Sequence, residues 1–284
     1  MDAHPNATVA SEPTKVYSAQ TKGGIASAVE DLWEGLKRGS IWRAFAWDEI
    51  QHRYRRSTLG LAWIVISYVI FVLAITLFFS GFSSMQSGGF VAYVAVGYAV
   101  FGFLIGNVTD GCVVFSGAST WIKSSSLPYS IYIYKSIARS FFPFIIQIAT
   151  ALVIMAFFGW RPHWSGLLAV PALAVFLLNA IWIQLFFGLI AARWRDVAHL
   201  VGALTRVLFF TTPILWVFEE RTGIVRQVAS INPLTHFLRI FRAPVLGDVV
   251  PLESWYHVAS WTVGGWVVAI FLASIMRRRL PLWV

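Results

Sequence analysis

Between Arg56 and Asp110 the chain carries no lysine, arginine, aspartate or glutamate. A charged side chain is costly in hydrocarbon, so an apolar stretch of that length reads as membrane-buried chain rather than soluble core. Its start lies in residues 53–63, Arg-Tyr-Arg-Arg-Ser-Thr-Leu-Gly-Leu-Ala-Trp, where Arg53, Arg55 and Arg56 stand ahead of the apolar run. Guanidinium groups there sit among anionic lipid headgroups and hold the start of the first span on the cytoplasmic side, with Trp63 at headgroup depth. Only 12% of the residues are charged and 58% are hydrophobic, against about 25% charged in soluble domains. The expected fold is an all-α polytopic membrane protein with little soluble mass.

The net charge of +9 does not point to nucleic acid, because the basic residues lie beside apolar spans instead of forming one stripe. Cys112 is the only cysteine, which excludes an intrachain disulfide. Residues 1–24 are polar, with Pro5, Pro13, Gly23 and Gly24, and contain no apolar run of a signal peptide. They are expected to be a disordered cytoplasmic tail, with the first span acting as its own uncleaved signal. Residues 25–57 interleave charges with apolar residues. Leu32, Trp33 and Leu36 share a helical face, and Phe45 and Ile50 continue an apolar side beyond Gly39 and Ser40. Two readings fit: an amphipathic helix lying in the membrane interface, or a small cytoplasmic hairpin packed on a partner.

Residues 58–284 divide into six expected spans, near 60–80, 90–109, 140–160, 166–190, 198–218 and 254–276. A turn-rich stretch at 80–89 separates the first two. Trp121, Lys123, Leu127 and Pro128 fall in the loop before the third span, and Arg195 and Asp196 in the turn before the fifth. The fifth holds Arg206 and a Thr211-Thr212-Pro213 break. Sixteen lysines and arginines fall on the assigned cytoplasmic side and five on the other, which places both termini inside. Residues 231–242 are amphipathic but lie on the outer side, too short and too charged to span. They read either as re-entrant helices or as an ordinary interfacial helix.

No Gly-x-x-x-x-Gly-Lys-Ser/Thr phosphate loop occurs, so this chain does not bind ATP by that device. The six histidines show no ligand spacing, and no metal is expected. The lack of a mid-span carboxylate weighs against an ion-coupled transporter. Arg206 reads as an arginine snorkelling to the near interface, or as a contact for an anionic substrate. Deep aromatics stand in spans one and five: Tyr68, Phe71, Phe78, Phe79, Phe209, Phe210, Trp216 and Phe218. Singly, each reads as core or lipid contact. As a set they suit a sliding sugar polymer, since stacking tolerates changes of register.

The ordered set of an amphipathic amino-terminal helix, the 53–63 stretch, the Arg195-Asp196 pair, and Asn-Pro-Leu-Thr at 232–235 followed by Arg239 and Arg242 resembles the ABC type-2 permeases. The nearest branch is the polysaccharide and polyol-phosphate exporters of O-antigen, capsule and teichoic acid. The resemblance runs from about residue 28 to the carboxyl end. It implies a homodimer in the bacterial inner membrane, docked on two copies of a separate ABC ATPase that carries the ATP and magnesium, with no cofactor in this chain. The surfaces taking the ATPase stroke would be Trp33, Arg53, Arg55, Arg56, Trp121, Lys123, Leu127, Pro128, Arg195 and Asp196. The aromatics of spans one and five would line the passage for a lipid-linked polysaccharide. Asn232, Pro233, Arg239 and Arg242, within 229–246, would form an outer gate of re-entrant helices. Alternatives are a permease of the same class for teichoic acid, lipid or drug, a passive channel, and a membrane glycosyl- or phosphotransferase. The last needs clustered carboxylates, and Asp48, Glu49, Asp110 and Asp196 are sparse and separated.

Overall fold

The computed structural model describes residues 23–55, 57–85 and 87–284. Arg56 and nearly all of the tail at 1–24 lie outside the described residues. The segment expected at 25–57 is two helices, α1 (Ile25–Lys37) and α2 (Gly39–Tyr54), parted at Arg38, whose backbone leaves the helical region (φ −85°, ψ 42°). α3 (Ala62–Phe79), α4 (Ser87–Val113), the short α5 (Ser119–Ser124), α6 (Ser130–Phe157) and α7 (Ala169–Arg193) follow. The chain ends with α8 (Asp196–Thr211), α9 (Gly223–Ile231), α10 (Pro233–Leu246), α11 (Leu252–Met276) and the single turn α12 (Leu280–Trp283). Among the described residues, α3, α4, α6, α7 and α11 are the helices long and apolar enough to cross a bilayer.

α4 is the centre of the bundle. Phe90, Val91, Ala92, Tyr93, Val94, Ala95 and Val96 are all buried in sequence, as expected of a helix that is apolar all round and enclosed on all sides. Apolar burial does not drive helices together in lipid, so close approach and interhelical hydrogen bonds must. Both occur between α4 and α7. A Cβ on Gly111 would stand 3.0 Å from the Gln184 backbone, one on Gly188 would collide with Val114 and Phe115, and Gln184 Nε2 donates to Asn107 Oδ1 (2.8 Å). α11 closes on α7 in the same way, with Gly265 against the Trp182 ring.

Contacts define two ends. At the proximal end α1, α2, the start of α6 and the end of α11 meet, since Asp31 reaches Tyr129, Ser130 and Arg277. Arg193 and Trp283 join them through a cation–π contact at 5.8 Å. At the distal end the turn after α3 meets residues 218–220 through Ser84 and Glu220. The loop after α6 meets α10, where Trp160 Nε1 donates to the Val245 carbonyl (3.0 Å).

The single helix expected over 198–218 is not what forms. α8 stops at Thr211 after about 24 Å of rise, short of the ~30 Å hydrocarbon core. Pro213 has no N–H to continue the ladder. The chain goes on as irregular backbone, with Ile214, Leu215 and Val217 buried. Non-helical backbone at membrane depth survives only when enclosed by protein in this way or facing water.

Candidate functional site

The proximal end is built on α1, which is packed inside out. Ser27, Ala28, Asp31 and Gly35 form its buried face, whereas Ile25, Val29, Trp33 and Leu36 are exposed. At i, i+4, i+8 and i+11 these four make one apolar stripe turned away from the protein. Leu32, expected on the same face, instead packs inward. The small residues are there for close approach: a Cβ on Gly35 would meet the Ser130 hydroxyl at 2.1 Å.

Asp31 does the joining. Its carboxylate accepts the backbone N–H groups of Tyr129 (3.1 Å) and Ser130 (2.9 Å). It thereby satisfies, from another helix, donors at the start of α6 that have no helical partner. The Ser130 hydroxyl donates to the Asp31 carbonyl (2.6 Å) and the Tyr134 hydroxyl to that of Leu32 (2.9 Å). Arg277 donates to the Ser27 carbonyl and hydroxyl and stands 3.9 Å from Asp31. Burial pushes the Asp31 carboxyl above the ordinary carboxylate range. The charge of Arg277 and the hydrogen bonds from Ser130 and Tyr129 offset this only in part.

α2 lies along α6 through a second charge cluster. Glu49 takes Lys135 (2.9 Å) and Arg139, and Arg139 also reaches Asp110 (3.1 Å). Desolvation works to raise the Glu49 carboxyl, but the hydrogen bonds and charges of Lys135 and Arg139 prevail and hold it below its ordinary range. Trp42 and Trp47 rest on Tyr134 and Phe142 of α6 (6.0 and 6.1 Å).

Arg56 aside, which lies outside the described residues, the stroke-receiving residues expected from the resemblance fall at this end. Trp121 on α5 is exposed and tilted against Phe45 at 5.4 Å. Lys123, Arg53, Arg55, Arg195 and Asp196 are exposed, Leu127 is half-buried and Pro128 is buried. Trp33 is exposed, with Lys37 Nζ 5.5 Å from its ring. The structure therefore brings them to one end of the molecule, on four separate stretches of chain.

The deep aromatics divide. Phe78, Phe79 and Phe210 face outward, with Phe78 72% and Phe210 66% exposed. Phe71 stacks on Tyr98 (4.0 Å) and meets Phe209 edge-on (6.2 Å), and Phe209 in turn meets Phe101 (5.5 Å). Tyr68 is buried and donates its hydroxyl to the Ala95 carbonyl (2.6 Å). Trp216 Nε1 donates to the Phe210 carbonyl (3.1 Å). Phe218 is buried beneath Arg226 and Arg239, at 5.3 and 4.7 Å.

At the distal end the expected gate residues converge on the break after α8. Asn232 caps α10 by accepting from the Leu234 N–H (3.0 Å), Pro233 takes the first helical position, and Asn232 Nδ2 donates to the Thr212 hydroxyl (2.9 Å). Arg242, only 3% exposed, donates to the Pro213 carbonyl (2.7 Å) and the Tyr93 hydroxyl (2.6 Å), with its guanidinium 3.5 Å from the Tyr93 ring centre. Arg239 pairs with Glu219 (3.1 Å). Glu220 accepts from the Ser84 backbone (2.9 Å) and from the Ser83 and Ser84 hydroxyls, and the Ser84 bonds hold its carboxyl below the ordinary range. α10 ends at Gly247, whose left-handed φ of 90° favours glycine.

Sequence reasoning missed Asp31, Ser130, Glu49, Tyr93 and the Glu219–Glu220 pair. The available signal was scarcity: in a chain with 13 acidic residues, each carboxylate beside a span needs a stated partner.

Fold and contacts together define a multi-pass α-helical membrane protein with a polar platform at one end and a helical hairpin, α9–α10, at the other. The ABC-2 type transporter family profile matches residues 41–246, and the chain belongs to that family. It is similar to the O-antigen export system permease protein RfbA of Klebsiella pneumoniae, with 19% identity over 231 residues, 81% of this chain and 88% of the relative. The protein of the same name from Myxococcus xanthus is 22% identical over 210 residues, covering 72% of this chain and 81% of its own length.

Proposed function

We propose that this chain is the membrane-spanning subunit of an ATP-driven exporter that moves a lipid-linked polysaccharide of the O-antigen type across the bacterial inner membrane. It works as a pair of identical subunits on two copies of a separate ATPase, with both termini cytoplasmic. The observation that carries the reading is the near full-length similarity to permeases named for O-antigen export.

The geometry supports a division of labour. α1, with its apolar stripe outward, lies at headgroup depth. Trp121, Arg195 and Asp196 stand exposed at the proximal end, where a soluble ATPase reaches them. The outward faces of α3 (Ile70, Leu73, Leu77, Phe78) and α8 (Leu200, Leu204, Val207, Phe210) are the surfaces that a second subunit faces across the passage. ATP-driven closure of the ATPase pair favours one arrangement of the spans over another, and the energy enters through whatever contacts differ between the two.

The test is export in a strain lacking the native gene. Trp121→Ala and Asp196→Ala should reduce surface glycan at least several-fold while the protein still inserts and accumulates in the membrane. Normal surface glycan from both variants would remove these residues from the coupling surface. Failure of the tagged chain to co-purify with any phosphate-loop ATPase would sink the exporter reading itself.

A further inference from the structure

A cavity of about 180 Å³ lies between α4 and α6, beside the end of α2, lined by Arg53, Gly102, Asp110, Arg139, Ser140 and Gln147. It is well below the ~300–1,000 Å³ of sites for drug-sized ligands and fits one small group. Its charges are not balanced. Of the charged residues that line it, Arg53 and Arg139 face one carboxylate, Asp110, and Asp110 is already engaged by Arg139 (3.1 Å). Arg53 is exposed and has no hydrogen-bond or ion-pair partner among the described residues, and the Gln147 side-chain amide has none either. The cavity thus presents a positively charged fork of donors and a spare amide that no protein group occupies.

Shape adds a direction. Arg139 and Gln147 are eight residues apart on α6, about 12 Å along the axis, so the space is a groove running from the charged proximal end toward the membrane interior. Phe103, Pro143 and Phe144 give its deeper walls an apolar character. On α4 the groove floor is Gly102, where an added Cβ would meet no atom within 4 Å.

We propose that this groove binds the phosphate group of a membrane amphiphile, with Arg53 as the principal donor and the chain of the amphiphile leading off past Gly102. Guanidinium matches phosphate oxygens through paired N–H bonds, and the location at the mouth of a span is where such headgroups lie. Two amphiphiles share this chemistry, a bilayer phospholipid and a prenyl diphosphate of the kind that carries glycans. The inference needs only placement in the bilayer and stands whether or not the cargo is a polysaccharide.

The experiment uses the purified full chain in detergent, with bound lipid counted by native mass spectrometry after incubation with phosphatidylglycerol, with a long-chain prenyl diphosphate, or with inorganic phosphate. The wild type should retain one amphiphile per chain. Arg53→Gln should weaken retention about tenfold by removing a charge-assisted donor, and Gly102→Leu, which starts a side chain where an added Cβ meets no atom within 4 Å, should do the same. Arg55→Gln, a neighbouring exposed arginine outside the groove, should leave retention unchanged. Preference for the prenyl diphosphate or for phosphatidylglycerol then names the natural source. Unchanged retention in Arg53→Gln and Gly102→Leu, equal loss in Arg55→Gln, or retention of inorganic phosphate alone would each overturn the proposal. Loss of glycan export cannot produce any of these readings, so the two proposals fail separately.

Discussion

The two ends of the bundle hold themselves together by different means. At the proximal end, charge meets charge: Asp31 with Arg277, and Glu49 and Asp110 with Lys135 and Arg139. These links tie α1, α2, α4, α6 and α11 into one platform. At the distal end the deepest tie, Arg242, meets no carboxylate but a carbonyl and a tyrosine hydroxyl. Both of its anchor points belong to α4 or to the break that follows α8. A platform braced in several directions transmits a push as a rigid body. A broken helix held by single donors from the next hairpin can exchange one set of partners for another at modest cost. The difference is the one the proposed exporter requires, with an ATPase acting at the proximal end and a gate at the distal one.

The largest expected effect is at the platform. Asp31→Ala leaves two N–H groups of α6 and the Arg277 guanidinium without their buried carboxylate, a loss of about 3–5 kcal/mol. It should lower the unfolding temperature of the detergent-solubilised protein by several degrees. An unchanged melting profile would mean that the proximal end is not braced through α1. Next comes Arg242→Met, which orphans the Pro213 carbonyl, at about 1–3 kcal/mol, and leaves the Tyr93 hydroxyl with only the Phe218 N–H (3.4 Å). Amide exchange should accelerate over residues 212–220 and stay unaltered over 25–35. Acceleration at both ends would erase the contrast between them.

Acidification should act in opposite directions at two proximal carboxylates. Glu49 has a depressed value, so its contribution is full above the unfolded value near 4.5 and is lost as pH falls through the lower folded one. Asp31 has a raised value, so its ionisation costs stability as pH rises from near 3.8 toward the folded value, and Asp31→Asn should remove that part of the pH dependence. The smallest effect is expected from Glu220→Gln. Its bonds to Ser84 lie at the surface, and only local exchange at 83–85 should respond.

Much of this was legible in the residues. The uncharged interval before Asp110, the arginines ahead of it and the turn at 80–89 locate α3 and α4 without any coordinates. The break at Thr212 and Pro213 was legible too, but not its consequence. Apolar residues continue to Phe218, so hydropathy sees one span where the backbone makes a helix followed by an irregular, enclosed segment. The aromatics were the harder case. Tyr68 and Phe78 share α3, yet one is 1% and the other 72% exposed, because a helix apolar on every side carries no mark of which face its neighbours will cover. The partners of Asp31 escaped for a related reason: about a hundred residues separate it from the backbone it caps.

What this sequence determines alone is which residues must leave water and where along the chain their charged flanks lie. That follows from solvation, which each segment feels independently of the rest. Which ring is enclosed, where α8 stops being helical and which carboxylate holds which arginine were decided only when the helices met, since those outcomes depend on atoms supplied by distant parts of the chain.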